Sequence, residues 1–423
     1  MRGKSLTVIT AGLVSALTLS SCGGASADDG DVVLRFTWWG SDQRQQITQE
    51  IIDEFEAQNP GITVEGEYRD GGGYHDQLNV QMAGGDAPDI FQVEDPYLRD
   101  YADRGALLEL TEFDTSGMEE ATADLGLTEE GRFGATVSIV SNALVANPAL
   151  FEEAGVDLPD DTTWTWDDFA EISAELRANL GDGQYGAATM GANEATVRLW
   201  LRQRGKDLFG DDGELLMTVE DAEEFLQFVM DMEEKAEFPS ASYIDELSSR
   251  GLADGPMGSR EAAMVGEWAT LMLPLTEATG DELQLLRFPS DTGHVDDNGE
   301  WIKAGMFFAV SSGTEHPEEA QQFINFFINS EEAAEISRMD RGIPANTNAR
   351  EIALVDATAA ETEAFEYVQS VEKAGKDTIP LPPPGGNQVA EIVTRYLSEV
   401  RFGNSTIENA AQTMVNEIEA ALG

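Results

Sequence analysis

Apolar residues first gather at Val32-Val33-Leu34-Arg35-Phe36, a run that predicts a buried strand leading straight into Thr37-Trp38-Trp39-Gly40. Ile47, Ile51, Ile52 and Phe55 then recur at helical spacing, and Asn59-Pro60-Gly61 stops the helix they predict. Ile62-Thr63-Val64 opens a second strand, so the order strand, helix, strand predicts a βαβ unit with parallel pairing. A helix over 75–83 and a strand over 89–93 follow. Further on, Thr165 stands as an N-cap before Asp167 and Asp168, in the first turn of a helix that runs through Leu176. Another helix is predicted from Val219 to Glu234. After a turn-rich stretch from Asp291 to Gly299, Phe307-Phe308-Ala309-Val310 is strand-like and Pro317 starts an apolar-faced helix through Phe327. Leu381-Pro382-Pro383-Pro384-Gly385-Gly386 breaks regular structure ahead of a last pair of helices. The strands fall in two separated groups, which predicts an α/β protein of two lobes crossed by the chain more than once. The length of 423 residues agrees with two or three domains.

The amino terminus follows another pattern. Arg2 and Lys4 precede an apolar run from Leu6 to Leu19, which at roughly 14 residues falls short of the about 20 needed to span a bilayer. Residues 1–21 therefore predict a cleaved export signal. Leu19-Ser20-Ser21-Cys22, followed by Gly23-Gly24, resembles a bacterial lipobox, which implies lipid on Cys22 and an extracytoplasmic protein anchored to the cell membrane. Cys22 is the sole cysteine, so its lipidation would exclude thiol catalysis, disulfides and cysteine metal sites. Residues 22–31 are small, Gly-containing and acidic, a flexible tether.

Composition narrows the partners. Lys and Arg number 25 against 80 Asp and Glu, for a net charge of −55. Loss of the signal leaves 23 bases and a charge of −57. Such a field repels nucleic acid and anionic membrane. The acids are spread along the chain and predict a solvated surface rather than an acidic tail.

Several segments together resemble the extracellular solute-binding lipoproteins of the carbohydrate type, the maltose-binding-protein-like components of ATP-driven sugar importers. They are Leu34 to Gly40; Phe55-Glu56-Ala57-Gln58-Asn59-Pro60-Gly61-Ile62-Thr63-Val64; Met82-Ala83-Gly84-Gly85-Asp86-Ala87-Pro88-Asp89-Ile90; and Ala102-Asp103-Arg104-Gly105-Ala106-Leu107-Leu108. Leu150-Phe151-Glu152-Glu153-Ala154-Gly155, Thr165-Trp166-Asp167-Asp168-Phe169, Met264-Val265-Gly266-Glu267-Trp268 and His316-Pro317-Glu318-Glu319-Ala320 continue the match in the same order. The resemblance implies a type II periplasmic-binding-protein fold, each lobe a mixed sheet flanked by helices, with the ligand cleft between. It places lobe 1 at 32–140 and 305–341 and lobe 2 at 141–304 and 342–423, with crossings near Val140 to Asn142, Ile302 to Met306 and Arg341 to Pro344. It implies a monomer that takes a carbohydrate and delivers it to ABC permease subunits, with no cofactor, no metal and no catalytic residue.

A sugar offers hydroxyls that need partners and C–H faces that an aromatic ring can cover. Trp38, Trp39 and Asp42 follow the first strand, and one of the two Trp rings is expected on the ligand. Asp86 and Asp89 flank Pro88 and are expected to shape its turn. Gln92, Glu94 and Asp95 follow the next strand, with Glu94 or Asp95 a candidate hydroxyl acceptor. Tyr74, His75 and Asp76, after Gly71-Gly72-Gly73, are rim candidates. By resemblance, Asn142, Asn193, Glu194, Trp200, Glu267 and Trp268 supply the second lobe's contacts, while Trp166 is expected in the core. Relatives often carry Pro where Glu267 stands. Gly305 and Met306, and Arg341 with Gly342, lie at crossings, where a missing side chain lets ligand approach the backbone. Gly385, Gly386 and Asn387 stand where some relatives supply an aromatic ring.

Two other functions compete. A secreted glycoside hydrolase or lyase needs a specific carboxylate pair, and the abundance of acids makes coincidental pairs common. A sensor would present its closed form to a membrane receptor. Asp296-Asp297-Asn298-Gly299-Glu300 lacks the ligand spacing of a calcium loop and predicts an exposed turn.

Overall fold

A computed structural model of the chain describes residues 31–69, 73–191, 193–210, 212–247, 249–374, 379 and 381–423. The signal, Cys22, most of the tether and Gly71-Gly72 lie outside the described residues, as does the side chain of Asn193. In chain order the strands are β1 (Val32–Trp39), β2 (Ile62–Arg69), β3 (Ile90–Val93), β4 (Leu127–Thr128), β5 (Gly131–Arg132), β6 (Ala135–Val140), β7 (Asn142–Ala146), β8 (Tyr185–Thr189), β9 (Ala262–Trp268), β10 (Gln284–Leu286), β11 (Lys303–Val310) and β12 (Ile343–Pro344).

The first lobe is built on β1. Its apolar run pairs in parallel with β2, Val32 opposite Ile62, and with β3 on the other side. Between β1 and β2 the helix Asp42–Gln58 buries Ile51, Ile52 and Phe55 against the sheet, and Ser41 caps it by accepting from the Arg44 N–H. Three antiparallel strands from later in the chain complete a six-stranded sheet in the order β12-β6-β11-β3-β1-β2. The second lobe holds a four-stranded sheet, β10-β7-β9-β8. Its helices Trp166–Asn179 and Val219–Lys235 both start with reciprocal capping boxes, Thr165 with Asp168 and Thr218 with Asp221. The carboxy-terminal helices Val389–Arg401 and Ile407–Leu422 pack beside them.

The chain passes from one sheet to the other at Ser141, between β6 and β7, and again just before β11. The third crossing differs from expectation. Ile343 and Pro344, placed by the sequence at a lobe boundary, pair with Ile139 and Ser138 as the edge strand of the first sheet. The helix Thr347–Leu354 packs against that strand, so the first lobe continues to Leu354. The chain returns only with the helix Ala359–Lys373, which packs on β10 and on the helix Met272–Thr279.

Each lobe has its own apolar core, and a third cluster joins them. Phe91, Val93, Ile139 and Phe307 from the first sheet share it with Ala143, Val145, Val265 and Leu285 from the second. Near it lies a buried polar bracket. Glu300 is 1% exposed, accepts from the Phe288 N–H at 2.7 Å and pairs with Arg287 at 2.5 Å. The Tyr367 hydroxyl lies 3.0 Å from Glu300 and 2.9 Å from the Asn142 carbonyl. The expected exposed turn at Asp296–Glu300 is therefore partly interior, because Asn298 and Glu300 turn inward to hold this bracket. Burial raises the Glu300 carboxyl above its ordinary value, against the pull of Arg287.

Candidate functional site

Between the lobes lies a cleft of about 760 Å³, within the size range of small-molecule sites. The first lobe contributes Gln43 and Arg44 from the start of a helix, Glu94 from the end of β3, Lys303, Gly305 and Met306 from β11, and the stretch from Ile336 to Ile343. The second lobe contributes Trp268, Thr270 and Leu271, and residues of the helix Ala359–Lys373.

The floor is charged but internally compensated. Lys303 Nζ bonds both carboxylate oxygens of Asp95, at 2.9 and 3.2 Å, and lies 4.9 Å from the centre of the Trp268 ring. Burial alone depresses the ammonium, yet the charge and hydrogen bonds of Asp95, with Glu194 and Glu94 adding, leave it above the usual lysine value. On the opposite wall Asp340 receives Arg44 at 3.0 Å and Arg341 at 3.1 Å. Arg338 pairs with Asp356 at 3.2 Å. Its φ of 47° is a strained value for a residue with a side chain, stored in the loop that forms this wall.

One lining carboxylate stays more available. Glu94 is held below its ordinary value by His75, 3.7 Å away, which outweighs burial. Glu267, next to Trp268 but not among the residues that line the cleft, is raised by burial against a hydrogen bond from the Trp268 N–H, and it forms no ion pair among the described residues. Beside Glu94, His75 stacks on Tyr97 at 3.9 Å and tilts against Trp39 at 5.5 Å, forming an aromatic rim.

Several expected contacts lie elsewhere. Trp38 is 1% exposed and belongs to the first lobe's core, packed on Phe36 and over Gly66, where an added Cβ would come within 2.8 Å of its ring. Trp39, pointing to the other side of β1, is the half-exposed member of the pair. Asp42 is exposed at a helix start and bonded by the Tyr68 hydroxyl. Gln92 is fully buried and accepts from Arg341 Nε at 3.2 Å. Arg341 sends its side chain into the first lobe, where it bonds Thr48 at 2.7 Å and lies over Phe327. Burial pulls that guanidinium down to about 9, opposed by Asp340 and aided by Arg44. Gln92 and Arg341 thus brace the wall from behind. Asp95 is spent on Lys303, which leaves Glu94 as the freer acceptor of the two.

In the second lobe, Glu194 is near enough to Lys303 to raise it, but Trp200 is 2% exposed and packs into the lobe's core beside Phe225. The helix Asn193–Arg202 turns that ring toward the helix Val219–Lys235, away from the cleft. Asn142 is buried at the first crossing, its carbonyl held by Tyr367. Gly305 and Met306 do line the cleft, although Gly305 lacks a side chain for another reason: a Cβ would meet Ser138 Oγ at 2.5 Å. Trp166 is core, as expected, and Asp89 shapes its turn by accepting from the Arg35 N–H and from Thr314. Sequence reasoning gave no role to Arg44 and Asp340, since a pair 296 residues apart leaves no local signal. Among the described residues no group of three or more His, Cys, Asp or Glu is placed to hold a metal, and no helix is long and apolar enough to cross a membrane.

Residues 39–334 match the model of a family described as bacterial extracellular solute-binding protein. The chain is 28% identical over 362 residues to an uncharacterized lipoprotein in the oleD 5′ region of Streptomyces antibioticus, covering 79% of this chain and 75% of that one. It is 21% identical over 393 residues to a maltooligosaccharide ABC transporter solute-binding lipoprotein of Streptococcus pneumoniae, covering 90% and 88%. Among solved structures it resembles a periplasmic oligogalacturonide binding protein from Yersinia enterocolitica, with a TM-score of 0.78, 21% identity and coverage of 93% and 100%. It also resembles an ABC substrate-binding protein from Listeria monocytogenes in complex with cycloalternan, with a TM-score of 0.76, 22% identity and coverage of 93% and 99%. At these identities the structural likeness speaks for the fold.

Proposed function

Because the chain belongs to the bacterial extracellular solute-binding protein family, we propose that it captures an uncharged mono- or oligosaccharide by lobe closure and delivers it to the permease of an ABC importer. The observation that carries the ligand class is the charge balance of the cleft. Its four basic lining residues, Arg44, Lys303, Arg338 and Arg341, are each already paired with a carboxylate of the protein. A uronate or phosphate would have to compete with those partners, whereas neutral hydroxyls need only acceptors and donors at the rim. Of the lining residues, Glu94 supplies an acceptor and Trp268 a ring face for sugar C–H groups, with Trp39 beside them in the aromatic rim around His75. The names of the pneumococcal and Listeria relatives refer to neutral saccharides, which supports the same class, whereas that of the Yersinia relative refers to a uronate and supports a saccharide ligand without its charge. The lipobox-like segment at Cys22 supports tethering beside the permease, and the name of the Streptomyces relative also refers to a lipoprotein.

A thermal-shift panel of neutral, uronic and amino oligosaccharides on the protein without its signal tests this reading. A ligand at about 100 times its dissociation constant adds roughly 2.7 kcal/mol of stability. A rise with neutral sugars, which are then recovered unchanged, supports a binder. Stabilisation by uronates alone would overturn the ligand class, and cleavage of the sugars would indicate a hydrolase.

A further inference from the structure

The first two lobe crossings run side by side. Val140, the last residue of β6, lies opposite Lys303, the first of β11. Two residues later Asn142, the first of β7, lies opposite Trp268, the last of β9. Between them the Ser141 carbonyl accepts from the Ala269 N–H at 2.9 Å. Lys303 and Trp268 therefore flank a single pivot residue, one on the first sheet and one on the second. Lys303 Nζ reaches across that pivot to within 4.9 Å of the Trp268 ring centre, while Asp95 grips it from the first lobe.

We infer that Lys303 is a positioning residue for ligand capture: clamped to the first lobe, it carries the indole of Trp268 and couples the set of that ring to the angle between the lobes. The inference rests on the reading of the cleft as a sugar site. A cation attracts a ring face within about 6 Å of its centroid. The 4.9 Å contact thus tolerates about 1 Å of separation, and a larger rotation about Ser141 breaks it. Lys303 cannot follow the ring, because Asp95 is 8% exposed and holds the ammonium with both oxygens. Lys303 also covers one face of the indole, so a sugar stacks on the other face while the contact is made, and the two contacts reinforce one lobe angle.

The test needs no ligand, which separates it from the sugar reading. Lys303→Met is made together with Asp95→Asn, so that no buried carboxylate is left unpaired. In the ligand-free protein this pair of changes is expected to shift the Trp268 fluorescence and increase the radius of gyration measured by small-angle scattering. Lys303→Arg, which keeps the cation, is expected to retain the parent radius. The emission shift must vanish in a Trp268→Phe background. Trp268→Leu leaves the Asp95–Lys303 pair intact and must by itself give the same increase in radius, with no further increase when the changes are combined. This variant decides the matter if the Lys303 variant does not fold. An unchanged radius in Trp268→Leu, or an emission shift that persists in Trp268→Phe, would overturn the inference even if the glycan panel finds a ligand.

Discussion

Two tryptophans separate folding from binding. Trp166 is 4% exposed, packs against Phe228 at 5.2 Å and Phe169 at 5.8 Å, and donates from Nε1 to Gln203 at 2.9 Å. A buried Trp covers about 150–250 Å², and at roughly 25 cal/mol per Å² its removal costs about 4–6 kcal/mol. That agrees with the about 3–5 kcal/mol typical of Trp→Ala in a core. At about 2–4 °C per kcal/mol, Trp166→Ala should melt on the order of 10 °C below the parent. Trp268 is only half-buried and contributes chiefly its contact with Lys303, worth about 0.5–1 kcal/mol where exposed. Trp268→Ala should therefore melt within a few degrees of the parent. Its binding should suffer instead: an aromatic anchor typically costs about 2 kcal/mol when truncated, close to 30-fold in affinity. Scanning calorimetry paired with titration calorimetry, using the strongest glycan of the panel, reads both effects. If Trp268→Ala melts as far down as Trp166→Ala and its folded fraction binds at full strength, the ring belongs to the core and the placement of the second-lobe contact is wrong.

Glu267 carries a pH signature. Burial raises its folded-state pKa, so the favourable protonated form is fully retained below the ordinary value of about 4.3, and its benefit is lost as pH rises through the higher folded value. Glu267→Gln should melt above the parent at pH 7 and converge with it near pH 4; a lower melting point at pH 7 would contradict this. Arg341→Ala leaves Gln92 and Thr48 without their buried donor and should cost about 3 kcal/mol while sparing affinity in the folded fraction, checked by the same paired calorimetry. Cys22→Ser should release the protein from washed membranes with affinity intact, and retention there would point to another anchor. Saturating ligand should contract the radius of gyration in scattering, and an unchanged radius would count against capture by closure.

The βαβ opening was legible because its apolar run, helical spacing and Pro-Gly stop all lie within some thirty residues. The helix at Trp166 was legible because its capping residues are neighbours in sequence. The third crossing was not, since β12 is only two residues long and two residues show no alternation. Adjacent tryptophans in a strand face opposite ways, but which side of β1 is covered depends on Gly66 and the helix Asp42–Gln58, which sequence alone does not orient. Trp200 was misplaced for a similar reason: its family position is on the correct helix, and the turn of that helix decides the face. The cleft charges depend on long-range partners such as Asp95 with Lys303, 208 residues apart, and no local pattern records them.

The bracket around Glu300 also bears on how the molecule could be instrumented. Asn142 and Glu300 stand beside the first two places where the chain enters or leaves the second lobe, and the hydroxyl of Tyr367, midway along the helix by which it returns, connects them. The two adjoining threads are therefore fastened at one end to the helix that carries the third back into the second lobe, so that a rotation between the lobes that keeps these bonds moves them together, like the leaves of a single door hinge. The expected opening then follows one principal coordinate. A single dye-to-dye distance across the cleft would suffice to report it, and because the sequence contains no cysteine after position 22, two introduced thiols could be labelled without competition in a Cys22→Ser background.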